Sequence, residues 1–139
     1  MNVIVTDTGF HKDDWAHGFS DPSAHQPDGK AAVNSFDLGS DADPESLRTL
    51  IDQIDMIRVD FPSFADGRGF TIARRLRNMG FQGRLRARGH LIADQYAMAR
   101  RAGFDEIEID AALAARQPEA QWLARADWRA HDYQSRLRA

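Results

Sequence analysis

The chain has 139 residues, no cysteine, a formal net charge of −3, 42% apolar residues and 28% charged ones. This is the composition of one soluble domain with a sizeable core. It excludes disulfides, thiol chemistry and Cys-ligated zinc or iron–sulfur clusters, and it lacks the basic footprint of a nucleic-acid binder. No apolar run approaches the roughly 18 residues of a membrane span. The opening Met1–Asp7 lacks a basic start and a long apolar stretch, so a cytoplasmic, non-membrane protein is expected.

A short strand is predicted at Asn2–Val5. Residues 7–32, rich in Asp, Gly, Pro, Ser and His, show no periodicity and read as an irregular wrap anchored by Phe10, Trp15 and Phe19. His11, His17 and His25 lie in it without a regular metal-ligand spacing, and no metal site is expected. From Val33 the chain is regular. Val33–Leu38 reads as a strand; Asp43 caps a helix that begins with Pro44 and carries Leu47, Leu50, Ile51 and Ile54 on one stripe. Met56–Phe61 is the next strand, succeeded by a helix marked by Ile72, Leu76 and Met79 that stops at Gly80. Arg84–Arg88 is a strand, Ile92, Tyr96 and Ala99 mark a helix ended by Gly103, and Glu106–Ile109 is a strand with Asp110 placed to cap the next segment. Residues 111–130, interrupted by Pro118, read as one or two closing helices. Arg74, Arg75, Arg77, Arg100 and Arg101 are expected on solvated helix faces. Trp122, Trp128 and Tyr133 are expected to dock the tail.

This alternation predicts a single α/β domain: a strand and wrap over 1–32, about four βα units over 33–110, and a helical tail over 111–139. The strands themselves alternate. Ile57, Val59 and Phe61 are interleaved with Arg58 and Asp60, Leu85 and Ala87 with Arg84, Arg86 and Arg88, and Ile107 and Ile109 with Glu106, Glu108 and Asp110. A period of two gives each strand one apolar and one charged face. Helices on the apolar side alone would make a half-barrel-like parallel sheet with consecutive strand order; a flavodoxin-like sheet with helices on both faces is the alternative. The charged faces can form Arg–carboxylate ladders or pair as a subunit interface in a homo-oligomer.

In open parallel sheets function collects beyond the carboxyl ends of the strands. That edge gathers Gly39–Asp41, Ser63–Gly69, Arg88-Gly89-His90 and Asp110. The loop Asp66-Gly67-Arg68-Gly69 opens a helix, where backbone N–H groups are free to hold an anion, and Arg68 can grip a sulfate, phosphate or carboxylate with paired N–H bonds. Arg88 adds a second guanidinium, His90 a group able to exchange a proton, and Asp94 and Gln95 lie at the start of the following helix. These eight residues are the predicted anion or ligand site. Each also has a purely structural reading: Asp66 as a turn cap, the glycines as backbone requirements, Arg68 as a partner of a nearby carboxylate. No catalytic residue and no cofactor is specified.

The stretch Phe61-Pro62-Ser63-Phe64-Ala65-Asp66-Gly67-Arg68-Gly69 carries a resemblance, together with Arg74, Leu76, Arg77, Arg86, Ala87, Gly89, Asp94, Gln95 and Gly103-Phe104-Asp105, the earlier Asp14-Trp15 and the late Tyr133-Gln134. It resembles a bacterial family of uncharacterised proteins often encoded beside assimilatory sulfite reductase genes and described as oxidoreductases involved in sulfite reduction. Arg88 and His90 depart from that family's pattern, which has an aliphatic residue and Asp there. The resemblance implies a sulfur-assimilation context without a catalytic scheme. The expected role is an accessory protein binding a small anion, sulfite reductase or its electron donor. An enzyme with a non-covalent cofactor and a structural or oligomerising domain are the alternatives.

Overall fold

The computed structural model describes residues 2–15, 18–19 and 35–128. The elements run β1 (Val3–Thr6), β2 (Gly9–Lys12), β3 (Ser35–Leu38), a 3-10 helix (Pro44–Gln53), β4 (Met56–Phe61), α1 (Arg68–Asn78), β5 (Arg84–Gly89), a short 3-10 turn (Ala93–Gln95) leading into α2 (Tyr96–Ala102), β6 (Glu106–Ile109), α3 (Ala111–Arg116) and α4 (Glu119–Leu123). Together the strands form one six-stranded sheet in the order β2-β1-β6-β5-β4-β3. Val33, Asn34, most of the expected wrap, His17, His25 and Tyr133-Gln134 lie outside the described residues.

The local signals act as chemistry requires. Asp43 accepts from Glu45 N at 3.0 Å and Pro44 takes the first helical position. Asp110 accepts from Leu113 N at 2.8 Å to start α3, and Pro118 divides the tail into two helices. Gly80 and Gly103 follow α1 and α2 with φ of +99° and +120°. Helix α1 begins four residues before the first residue of its apolar stripe, at Arg68.

Strands β3 to β6 are parallel and lie in consecutive order. Their apolar faces (Phe36 and Leu38; Ile57, Val59 and Phe61; Leu85 and Ala87; Ile107 and Ile109) share one core with Leu47 and Ile51, Phe70, Ile72, Ala73 and Leu76 of α1, Tyr96, Ala99 and Ala102 of α2, Leu113 and Trp122. The helices therefore cover one face, the one-sided arrangement of the half-barrel alternative, not the two-sided flavodoxin-like one. Among the described residues no helix is long and apolar enough to cross a membrane.

Three expectations are corrected. The sheet is not wholly parallel, and residues 9–12 are not irregular: β1 pairs antiparallel with both β2 and β6. The hairpin turns at Asp7-Thr8, where Thr8 N donates to Thr6 Oγ1 (3.2 Å) and Gly9 supplies the φ of +110° that the turn needs. Strand β2, only four residues long, has too little alternation to be recognised locally. Nor are all the helix arginines solvated. Arg77 donates to the carbonyls of Phe81 (3.0 Å), Gly83 (3.0 Å) and Gly103 (2.8 and 3.0 Å) and to Asp105 (3.0 Å), and Arg100 to Phe104 O (2.5 Å) and Asp7. Both satisfy loop carbonyls that the helix ends leave without partners.

The charged face is the unusual half of this sheet. Strand register aligns Asp37, Arg58, Arg86 and Glu106 in one row and Asp60, Arg88 and Glu108 in the next. Arg58 Nε and Nη2 donate to the two oxygens of Asp37 (2.6 and 2.7 Å), and Nη1 to Glu108 Oε1 (3.0 Å). Arg84 grips Glu106 at 2.7 and 2.8 Å and Asp14 at 2.8 Å. Arg86, 0% exposed, donates to Glu106 Oε2 (2.6 Å) and Glu108 Oε1 (3.0 Å). Its Nη2 stands 3.1 Å from Asp13 Oδ1, close enough for charge attraction but off the donor direction, so this N–H group lacks an aligned acceptor. The ladder is buried because the chain's own residues cross it: Asp13 and Asp14 bring carboxylates, the Phe19 ring lies 3.8 Å from the Arg58 guanidinium carbon, and Trp15 lies 5.7 Å from that of Arg84. Burial pushes the Glu108 carboxyl up, but bonds from Asn2, Arg58 and Arg86 outweigh it and hold the group below the usual glutamate range.

Candidate functional site

The carboxyl edge of the parallel strands separates the predicted residues into three groups. In the β4–α1 loop Arg68 is 60% exposed, yet its fork is occupied: Nε and Nη2 donate to the two oxygens of Asp66 (2.9 and 2.7 Å), and Nη2 also to Ser40 Oγ (2.8 Å). Asp66 Oδ1 further accepts from Arg68 N at 3.1 Å, so the carboxylate caps the first turn of α1 from inside the loop. The Arg68 side chain beside it holds the Asp66 carboxyl down at about 2. Gly67 sits at the N-cap, and a Cβ on Gly69 would run into the buried ring of Phe61. The glycine after Arg68 is thus dictated by helix-to-strand approach. An NMR titration checks this assignment: the Asp66 carboxyl should titrate at about 2 and move up toward its ordinary 3.8 in Arg68→Ala. An unchanged midpoint would show that Arg68 is not its partner.

The second group is also engaged within the chain. Gln95 Oε1 accepts from Ile92 N (2.9 Å) and its Nε2 donates to Phe64 O (2.7 Å), tying the 63–67 loop to the start of α2. Asp94 pairs with Arg125 at 2.6 Å. The loop so pinned presents Phe64 outward, 59% exposed.

The third group forms a cleft. Arg88 and His90 line a cavity of about 370 Å³ with Asn2, Asp60, Pro62, Gly89, Glu108 and Asp110. This volume falls at the small end of the roughly 300–1,000 Å³ of small-molecule sites. Glu108 is committed, accepting from Asn2 Nδ2 (2.6 Å), Arg58 and Arg86. Arg88 is not: its side chain is 45% exposed and its one ion pair is a 3.5 Å approach of Nε to Glu108 Oε2. The arginines beside it on this face, Arg58, Arg84 and Arg86, each engage two or more carboxylates. The cleft therefore contains a guanidinium with unused donors, flanked by His90, at the position where open parallel sheets place ligands.

Sequence reasoning centred the site on Arg68 and did not include Asp60, Glu108 or Asn2. Period-two alternation placed Asp60, Arg88 and Glu108 on one face, but only strand register brings them into one row. Asn2 arrives through the antiparallel pairing of β1 with β6, for which no local signal exists.

The fold and this cleft define a small α/β protein built on a one-sided, mostly parallel sheet, with a polar cleft at the strand ends. Residues 35–139 match the family model described as a bacterial protein of unknown function (DUF934), and the chain belongs to that family. No curated protein matches it.

Proposed function

We propose that this protein is an accessory component of assimilatory sulfite or sulfate reduction. It binds a small oxyanion-bearing ligand in the Arg88–His90 cleft and meets sulfite reductase or its electron donor at the same rim. The observation that carries the binding half is Arg88, whose donors face an open cleft while the neighbouring arginines of the charged face are occupied by carboxylates. The sulfur context rests on the resemblance of the Phe61–Gly69 motif. The partner half is supported by Phe64, an exposed aromatic on a loop held by hydrogen bonds, since rigid aromatic anchors bind partners at low entropic cost. This reading assigns recognition and leaves the chemistry to the partner.

Calorimetric titration with sulfite and sulfate tests the cleft. Losing charge-assisted hydrogen bonds in Arg88→Gln should weaken binding by about ten- to a hundredfold. Arg68→Ala, whose side chain is already engaged, should bind nearly as the parent does. Equal affinity of the parent and Arg88→Gln would overturn the cleft assignment. Co-purification of sulfite reductase with the tagged protein, lost on Phe64→Ser, is the corresponding result for the rim.

A further inference from the structure

The cleft keeps opposite charges apart. Asp60 and Arg88 are register partners on β4 and β5, from which a salt bridge could form across the strands. None joins them; Arg88 leans toward Glu108 instead. Glu108 has no need of it, since Asn2, Arg58 and Arg86 already supply its bonds. Among the described residues the Asp60 carboxylate has no hydrogen-bond or ion-pair partner. Asp110, which also lines the cavity, spends its Oδ1 on the cap of α3. The space thus has a cation at Arg88 and, beside it on β4, a carboxylate at Asp60. A bare oxyanion would satisfy the first and be repelled by the second.

We propose that the cleft takes a small zwitterion: a molecule with a carboxylate or sulfonate at one end, received by Arg88, and an ammonium at the other, received by Asp60. This rests on the reading of the cleft as the binding site and names the class of its ligand. Both ends gain a charge-assisted bond, and the carboxylate and the guanidinium left open to the cleft each find an opposite charge. Pairing across the ligand also explains why an in-register Asp–Arg pair remains open: closing it would consume both recognition groups. The modest cavity volume limits the ligand to amino-acid size.

The test uses taurine and β-alanine as zwitterions, isethionate and sulfate as anions without an ammonium, and ethylamine as an ammonium without an anion, each titrated by calorimetry. At least one zwitterion should bind about tenfold or more tightly than isethionate, sulfate and ethylamine; whichever of taurine and β-alanine is preferred identifies the sulfonate or carboxylate source. Asp60→Asn should remove that advantage while leaving isethionate binding equal or stronger, and Arg88→Gln should weaken every anionic probe. If isethionate and sulfate bind as tightly as taurine and β-alanine, and Asp60→Asn changes nothing, the zwitterion assignment fails and the oxyanion reading stands. If no anionic probe binds the parent protein, the reading of the cleft fails and this inference with it. Should Asp60→Asn not fold, the probe series on the parent protein decides alone.

Discussion

Replacing Arg86 with methionine should lower stability by about 3–5 kcal/mol at neutral pH, because breaking a buried ion pair from one side leaves its counter-charges stranded. Arg86 is fully buried and serves Glu106, Glu108 and Asp13, three carboxylates from two separate segments. Methionine keeps much of the volume, which separates the charge effect from a cavity. Glu108 sets the sign of the pH dependence. Its folded-state value lies below the ordinary 4.5, so its contribution is present above that value and is lost as pH falls through the depressed one. In Arg86→Met Glu108 loses one of the bonds that hold it down, burial regains weight, and its protonation in acid relieves the stranded charge. Parent and variant should therefore converge as pH drops from about 7 to about 4. Urea denaturation across that range measures it. A gap under about 1 kcal/mol at neutral pH, or one that does not narrow in acid, would mean that the ladder is not held by Arg86.

Trp122→Ala should cost a similar amount, about 3–5 kcal/mol, for a different reason. Helix α4 has five residues, too few to persist by itself. Trp122 is buried, meets Tyr96 edge-on at 6.3 Å, and donates from Nε1 to Gln117 O at 2.8 Å. Tyr96 in turn donates to Asp7 in the hairpin turn, and Glu119 Oε2 accepts from Phe10 N (2.8 Å) on edge strand β2. Losing the indole removes core area, orphans a carbonyl and loosens the element that covers the sheet edge. Leu123→Ala on the exposed side of the same helix should stay within about 0.5 kcal/mol. Thermal unfolding followed by circular dichroism compares the pair; equal melting temperatures for the two variants would contradict the anchoring role.

The two expectations draw on opposite faces of one sheet, and the faces differ in how far each can be read from sequence. Val59 between Arg58 and Asp60, or Ile107 between Glu106 and Glu108, announces a strand with two unlike sides. The apolar side finds its helices by burial alone. For the charged side, alternation says which residues share a face but not which carboxylate each arginine takes. That depends on register, on β1 entering antiparallel beside β6, and on Asp13, Asp14 and Phe19 lying over the sheet.

The candidate site divides the same way. Gly67-Arg68-Gly69 is visible as a helix start, and its predicted ability to hold an anion is sound local chemistry. Asp66, two residues away, occupies the guanidinium first, and Ser40 reaches it from 28 positions earlier. Arg88 stays open although Asp60 lies opposite, a distinction between two arginines that composition and spacing cannot make. By itself the sequence determined the βα succession, the caps at Asp43 and Asp110 and the one-sided strands. Each of these depends on interactions within a few residues or on the period of a single strand. Only the tertiary structure decided the strand partners, the burial of Arg86 and the different pairing of Arg68 and Arg88. Those depend on contacts between distant segments, such as the bond from Asn2 to Glu108 across 106 positions, whose geometry no local pattern encodes.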